Sequence, residues 1–492
     1  MPPTPGSTTL SAADRSQLAG CGIPLEEAER QLALLAARPG SASVHATRLL
    51  RPATIGDGIE RIREEEIPGL LARAKTAQRQ GRFLKFVPAS GAASRMFRSL
   101  AAIAENFPDG DYGAIRSAAA RGDSDAKEVV DFVAALPAMP LGRALENSLP
   151  GILERLAKAT AAPDLTPFFE LFFSGGHGEI PLAAHPKGLL PFHWAGELPR
   201  TAFAEQLAEG KHYLEDDARK SRYHFTIAEE FRGAFGLELD RVRRQLAGTD
   251  EQLDVDFSAQ LPETQALALD EAGHPARTGE GRLILRPSGH GALLRNLAAT
   301  AGDIVFIKNV DNILPEGHHE ALAHWKLLLA GKLLEVLAER GAEAPWRVCG
   351  VVANQGEPGG GPFWVEDELG RKSLQIVESA ELDARDAAQV ALFRGSTHFN
   401  PVDLVVALRD PDGVPWQLER FVDPARALVA EKSEAGRRLR VYERPGLWNG
   451  AMAGWNTLFV ELPAWTFAPV KTVLDLARPE HLDPARRSLR KP

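Results

Sequence analysis

Apolar residues recur at helical spacing from Pro24 to Leu35, and Glu60 to Gln80 repeats that character with mixed charge, so both stretches predict helices. The pattern then changes. Phe83 to Val87 is a short β-like run, Pro88 to Ser94 is a stretch of small residues, and Arg95 to Ala104 opens a helix. Strand, small-residue turn and helix in that order form the first unit of a parallel α/β sheet. Residues 100–170 are helical in pattern and rich in Ala, with a break at Gly122-Asp-Ser-Asp. A second α/β stretch follows, with strands predicted at Tyr223 to Ile227, Leu283 to Leu285, Asp303 to Ile307, Trp346 to Ala353 and Gln375 to Val377. Asp403 to Leu408 and Thr457 to Leu462 read as two more strands. Trp325 to Leu337, interrupted by Lys326, Lys332 and Glu335, reads as a core helix ending at Arg340-Gly341.

Strands alternating with helices predict an α/β fold with a mixed, mainly parallel sheet covered by helices on both faces. The organisation expected is a disordered lead at 1–15, a helical N-terminal region at 16–80, an α/β core at 81–400 carrying a helical insertion at about 100–175, and a C-terminal α/β part at 401–492. The lead is rich in Pro, Ser and Thr and lacks the basic-then-apolar order of a signal peptide.

Composition narrows the function classes. Over 492 residues, 57 Lys and Arg stand against 66 Asp and Glu, a formal charge of −9. No overall basic field is available to hold a nucleic-acid backbone, and no basic-aromatic stripe is present, so nucleic acid is not an expected partner. Cys21 and Cys349 are too few for a disulfide framework or, alone, a structural zinc site, and a reducing cytoplasm fits best. No window reaches the ~18 uninterrupted apolar residues of a membrane helix, so no membrane association is expected.

Several segments could carry chemistry. Ser90-Gly-Ala-Ala-Ser-Arg95 follows a buried strand, and small residues there let backbone amides approach a phosphate, with Arg95 supplying charge. A plain strand-to-helix turn with a solvated Arg95 reads equally well. Lys187 lies between Pro186 and Gly188, which shape the backbone around a fixed point charge, or it is a surface lysine in a turn. Gly289-His-Gly291 precedes a helix and offers a surface for a flat base or a sugar, or it is a helix start capped by Ser288. Asp311, just past the carboxyl end of an apolar strand, is placed where α/β sheets put ligand-binding groups, and a carboxylate there can hold Mg²⁺; an Asp-Asn turn is the alternative. Gly356-Glu-Pro-Gly-Gly-Gly361 is a loop with an acid, Glu357, beside it. His318, His319 and His324 lack the spacing of a helical zinc site and read as solvated helix histidines, and Asp216-Asp217 reads as a charged helix face. No P-loop, dinucleotide fingerprint or G-x-S-x-G elbow occurs.

Taken in order, these segments resemble the sugar-nucleotide pyrophosphorylases, in particular the UDP-N-acetylhexosamine and UDP-sugar branch. The resemblance covers roughly residues 83–97 and 180–475 and includes Phe459 to Lys471, which is similar to that branch's Phe-Ser-Pro-Leu-Lys segment. As a whole the sequence also resembles a bacterial family that carries only a domain-of-unknown-function label. The first resemblance implies a Rossmann-like core of the nucleotidyltransferase, glycosyltransferase-A-like kind, and an Mg²⁺-dependent enzyme joining a nucleoside triphosphate to a sugar 1-phosphate with release of pyrophosphate. By motif match, Ser90, Gly91, Ala92 and Arg95 would hold the triphosphate, Lys187 would neutralise charge at the reacting phosphate, and Asp311 would bind the metal. Gly289, His290 and Gly291 would face the base, Glu378 and Asn400 the sugar, and Lys471 its phosphate, with the C-terminal part completing that site. Three features depart from the family: Ala92 and Ala93 add methyls to the loop, a long helical stretch separates Arg95 from Lys187, and His290 stands where Asn is usual. Two other readings stay open, a non-catalytic nucleotide or nucleotide-sugar binding regulator and a sugar kinase on the same core. Ala53 to Gly58 and Leu447 to Met452 are distinctive in composition and receive no role.

Overall fold

Apolar runs with few polar interruptions become strands buried on both faces, and they set the central sheet. The computed structural model describes residues 10–37, 42–43, 47–157, 164–174, 181–246, 249–341, 343–356, 359–434 and 437–482. The chain divides into two compact units. The first comprises Met1–Phe86, Ser258–Ile307 and Leu327–Ala464; the second comprises Val87–Phe257, Lys308–Lys326 and Trp465–Pro492.

In the first unit the strands lie in the order Thr54–Ile55, Gly58–Glu60, Asn456–Glu461, Trp346–Ala353, Asp403–Ala407, Ile304–Lys308 and Phe83–Pro88. Ile304–Lys308 runs parallel to Phe83–Pro88, with Val305 opposite Leu84 and Ile307 opposite Phe86. Trp346–Ala353 is parallel to Asn456–Glu461 and antiparallel to Asp403–Ala407, so the sheet is mixed and mainly parallel, as expected. Every residue of Ile304–Lys308 is buried, which explains a continuous apolar run in place of alternation. Leu84, Phe86, Val305 and Ile307 join Leu293, Leu294 and Leu297 of the neighbouring helical segment in one core with Trp448, Met452 and Phe459.

The N-terminal region is less helical than its sequence suggests. Arg48–Pro52 is a strand, antiparallel to Gly361–Glu366, and its partner lies too far along the chain for local periodicity to show it. A helix already begins at Ala12, closed by a capping box of Ser11 and Asp14, with Leu10 and Leu18 buried, inside the stretch read as a disordered lead. Residues 1–9 of that lead lie outside the described residues. The C-terminal part adds a hairpin of Leu428–Glu434 and Arg437–Glu443, joined antiparallel to Ala266–Leu269.

In the second unit, Arg98–Asn106, Tyr112–Ala120, Ser124–Ala135, Pro140–Ser148, Ile152–Ala157 and Thr166–Phe173 are all helices. Phe97 and Phe168 each pack 4.8 Å from Phe172, ring centre to ring centre, and Phe132 joins them to form an aromatic core. Thr201 caps helix Ala202–Leu214 by accepting from the Ala204 amide. Two sequence readings change here. Asp216 is not on a helix face: it accepts from the amides of Ala218 and Lys220 and pairs with Arg222, fixing the turn before strand Lys220–Ile227. His319 is not solvated: it is buried, with Nε2 3.0 Å from the Leu314 carbonyl and 3.1 Å from Glu205. Glu205 also meets His193, whose other ring nitrogen lies 2.9 Å from His481. No described helix is long and apolar enough to cross a membrane.

Candidate functional site

Each unit gathers part of the expected chemistry. In the second unit, Asp311 follows strand Ile304–Lys308 on a loop held by Gln206, whose side-chain amide donates to the carbonyls of Asn309 and Val310. The C-terminal segment is pinned to the same loop. Val470 donates its amide to the Asp311 carbonyl at 2.9 Å, and the Asn312 side chain accepts from Ala468. Lys187 sits in a single 3-10 turn, and Gly188 behind it packs closely, since a Cβ there would lie 3.1 Å from the Phe235 ring. The Lys187 ammonium then meets Asp311 at 2.9 Å and the Val470 carbonyl at 2.8 Å. Lys471 reaches the same Asp311 oxygen at 3.3 Å. Its backbone is fixed by Asp475, which accepts from the amides of Lys471 and Thr472, both at 2.7 Å.

The small-residue loop lies alongside. Gly91 accepts from the Lys187 amide at 3.1 Å, Ala93 donates to the His185 carbonyl at 2.9 Å, and Ala92 bridges Pro186. Arg95 ends a short 3-10 turn, not an α-helix, and it is exposed, as are Ser90, Gly91 and Ala92. The Ala93 amide is therefore committed to the chain itself, while the rest of the loop faces solvent.

The charge balance favours an anion. Burial alone would raise the Asp311 carboxyl, but Lys471 and Lys187 outweigh it and hold the group below the ordinary carboxylate range. One carboxylate thus faces two ammonium groups, a net positive centre suited to phosphate oxygens. Among the described residues no group of three His, Cys, Asp or Glu side chains could hold a metal unaided. A single carboxylate is nevertheless enough for Mg²⁺ when phosphate oxygens and water complete its octahedron. Asp311 would fit that case, holding the cation together with the oxygens of a polyphosphate whose charge offsets the two lysines.

The first unit gathers the remaining residues. Gly289 has φ +77°, and Gly291 lies against the chain so closely that a Cβ would come within 1.9 Å of the Pro445 carbonyl oxygen. Ser288 does not cap the following helix; its hydroxyl donates to the Thr264 carbonyl. His290 stacks on Trp448, ring centres 4.0 Å apart and planes within 14°. Its Nδ1 accepts from the Leu447 amide at 2.9 Å, which leaves the proton of the neutral ring on Nε2. Trp448 in turn donates its indole N–H to Glu378 at 3.2 Å.

Glu378 and Glu381 form a reciprocal capping box, and Glu381 also holds Arg426 and Asn449. Arg347, fully buried, donates to Thr457, Gln375 and the Trp448 carbonyl; burial lowers its guanidinium to about 10. Asn400 donates its amide to the Gly360 carbonyl, and its side-chain oxygen accepts from Val402, which has φ +57°. Gly360 in turn runs close beside Glu378, since a Cβ there would lie 3.1 Å from the Glu378 Cγ. Glu357 lies outside the described residues.

Burial pushes His290 down to about 4, against the opposing pull of Glu443 and Glu381. Because the unfolded state binds this proton first, His290 contributes its full stabilisation above pH about 6.5 and loses about 3 kcal/mol as pH falls from there to 4. Denaturant unfolding at pH 7 and pH 4 is expected to show a larger acid loss for the natural chain than for His290→Asn. Parallel losses would contradict the assignment.

The sequence matches the family described as "Domain of unknown function (DUF4301)" over residues 11–343 and 336–482. The chain belongs to that family. A comparison with curated proteins finds no match. Among solved structures, the chain is similar to the UDP-N-acetylglucosamine pyrophosphorylase of Trypanosoma brucei, in complex with inhibitor, with TM-score 0.50 and 13% identity over 95% of this chain and 79% of that one. It is similar in the same degree to a variant of the UDP-glucose pyrophosphorylase of Leishmania major in complex with UDP-glucose, with TM-score 0.50 and 13% identity over 95% of this chain and 78% of that one. At that identity the likeness establishes the fold, the α/β fold of the pyrophosphorylase nucleotidyltransferases, for this member of the family.

Sequence reasoning passed over Trp448 and Asn449, Glu381, Arg347 and Arg426. The unusual Leu447 to Met452 segment was the available signal; the buried arginines left none, because a charged residue in a sequence reads as exposed.

Proposed function

We propose that this protein is an Mg²⁺-dependent nucleotidyltransferase of the cytoplasm, which joins a nucleoside triphosphate to a sugar 1-phosphate and releases pyrophosphate. The observation that carries the reading is the Lys187–Asp311–Lys471 cluster, three residues from distant segments meeting on one buried carboxylate in a chain with the pyrophosphorylase fold. In that reaction an oxygen of the sugar phosphate attacks the α-phosphorus and the bond to the β-phosphate breaks. The protein supplies positioning and charge neutralisation and needs no nucleophile of its own. Lys187, held rigidly by Asp311 and Val470, would meet the reacting phosphate; Lys471, more exposed, would meet the sugar phosphate; and Arg95 with Ser90, Gly91 and Ala92 would hold the triphosphate. Mg²⁺, bound by Asp311 together with phosphate oxygens, would neutralise phosphate charge. In the first unit, Gly289, His290 and Gly291 are assigned to the base, and Glu378 and Asn400 to the sugar.

A second reading, a regulator that binds a nucleotide or nucleotide-sugar without turning it over, is favoured by the methyls of Ala92 and Ala93 and by the Ala93 amide being bonded to His185. Crossing four nucleoside triphosphates with a panel of sugar 1-phosphates, with Mg²⁺ and with chelator, separates the two. The expected result is pyrophosphate release that requires Mg²⁺ and one particular pair. Tight triphosphate binding with no pyrophosphate from any pair would favour the regulator, and release of a nucleoside diphosphate would point to a kinase.

A further inference from the structure

We propose that Trp448 is a positioning residue that locks the His290 loop to Glu378 and thereby sets the chain's discrimination for the sugar end of its ligand, an inference that rests on the proposed function. The indole is used on two sides. Its face carries the His290 ring at 4.0 Å, and its N–H donates to Glu378 at 3.2 Å. Only tryptophan combines a flat apolar face of that size with a donor-only edge, and a donor facing a carboxylate forms a charge-assisted bond.

The backbone that carries it has little freedom. Arg347 donates to the Trp448 carbonyl at 2.6 Å, and the next residue, Asn449, donates to Glu381 at 3.0 Å and to the Ile376 carbonyl at 3.3 Å. On the other side Leu447 donates to His290, and the Pro445 carbonyl closes on Gly291. The segment 445–449 is therefore fastened at once to the Gly-His-Gly motif and to the 375–381 segment. Glu378 is further fixed by its capping box with Glu381, to whose carboxylate its amide donates at 2.8 Å. A displacement of the His290 ring must tilt the indole and draw the carboxylate with it. Base-side and sugar-side residues, 88 positions apart in sequence from His290 to Glu378, thus move as one body.

The test uses the full chain with defined probes: UDP-glucose, GDP-glucose, ADP-glucose, dTDP-glucose and the four corresponding nucleoside diphosphates, titrated by calorimetry. Trp448→Phe keeps the stacking face and removes the donor. It is expected to weaken the best-bound nucleotide-glucose about 10-fold while changing the matching diphosphate less than about 2-fold, as loss of one charge-assisted bond predicts. Glu378→Gln, which leaves the indole in place, is expected to reproduce the selective loss, and the double variant to be no worse than either single one. Equal weakening of sugar form and diphosphate, additive losses, or a natural chain that binds the diphosphate as tightly as its glucose form would overturn the inference and leave the proposed function standing. A natural chain that binds none of the probes would overturn both.

Discussion

Asp311→Asn is expected to lower pyrophosphate release by at least about 100-fold, the scale on which enzymes lose rate when one charged element of a phosphate-handling site is removed. The substitution preserves shape and replaces a buried carboxylate, held by Lys187 at 2.9 Å and Lys471 at 3.3 Å, with a neutral amide. Three consequences converge. The proposed Mg²⁺ ligand is lost, Lys187 exchanges a charged acceptor for a neutral one beside the Val470 carbonyl, and two ammonium groups are left to repel each other. Because the amide oxygen can still accept from Lys187, the stability loss is smaller, about 1–3 kcal/mol. Lys471→Ala divides the two effects differently. Its side chain is 53% exposed, so unfolding should change little while turnover falls. Initial rates and denaturant midpoints of both variants check the pair. Undiminished turnover in Asp311→Asn would remove Asp311 from the chemistry.

The largest effect on stability is expected from Lys308→Met. Lys308 ends a central strand with its ammonium 2.6 Å from Glu209, and both side chains are buried. Glu209 also accepts from the Tyr213 hydroxyl at 3.0 Å. Removing the cation takes the Lys308 ammonium away from the buried Glu209 carboxylate, and breaking a buried pair on one side costs up to about 3–5 kcal/mol, whereas replacing both members with groups of similar shape costs far less. Lys308→Met should therefore depress the unfolding temperature by about 4 °C in a chain of this length. Adding Glu209→Gln should restore a substantial part of the loss. The check is thermal unfolding of the two singles and the double; a double variant as unstable as the sum of the singles would show that the pair does not act as a unit.

Sequence made the central sheet legible where burial on both faces imposes a continuous apolar run, as at Ile304 to Ile307 and Val348 to Val352. Arg48–Pro52 and the 428–443 hairpin escaped because their strands mix charged and apolar positions and are defined by partners distant in the chain. The candidate site was legible in a different way. Lys187, Asp311 and Lys471 are ordinary residues in local context, and only their order along the chain, set beside a family resemblance, grouped them. The structure then puts the three within hydrogen-bonding reach. Arg347, Glu381 and Arg426 had no comparable signal, since a buried charge is recognised by the partners that surround it and not by its neighbours in sequence.

Ser90 to Arg95 show what local pattern misses even when an element is found. Small residues after a strand suggested backbone amides open to phosphate, but part of that backbone is taken by residues 185–187. Such pairing depends on where a distant loop comes to rest.

The most direct test is ³¹P NMR of the purified chain with Mg²⁺, a nucleoside triphosphate and a sugar 1-phosphate. The account predicts that the sugar-phosphate signal declines while a pyrophosphate signal and the two coupled signals of a nucleotide-sugar grow in equal amounts, and that added pyrophosphate drives them back. A triphosphate that binds but stays intact with every sugar phosphate, or that yields a nucleoside diphosphate, would contradict it.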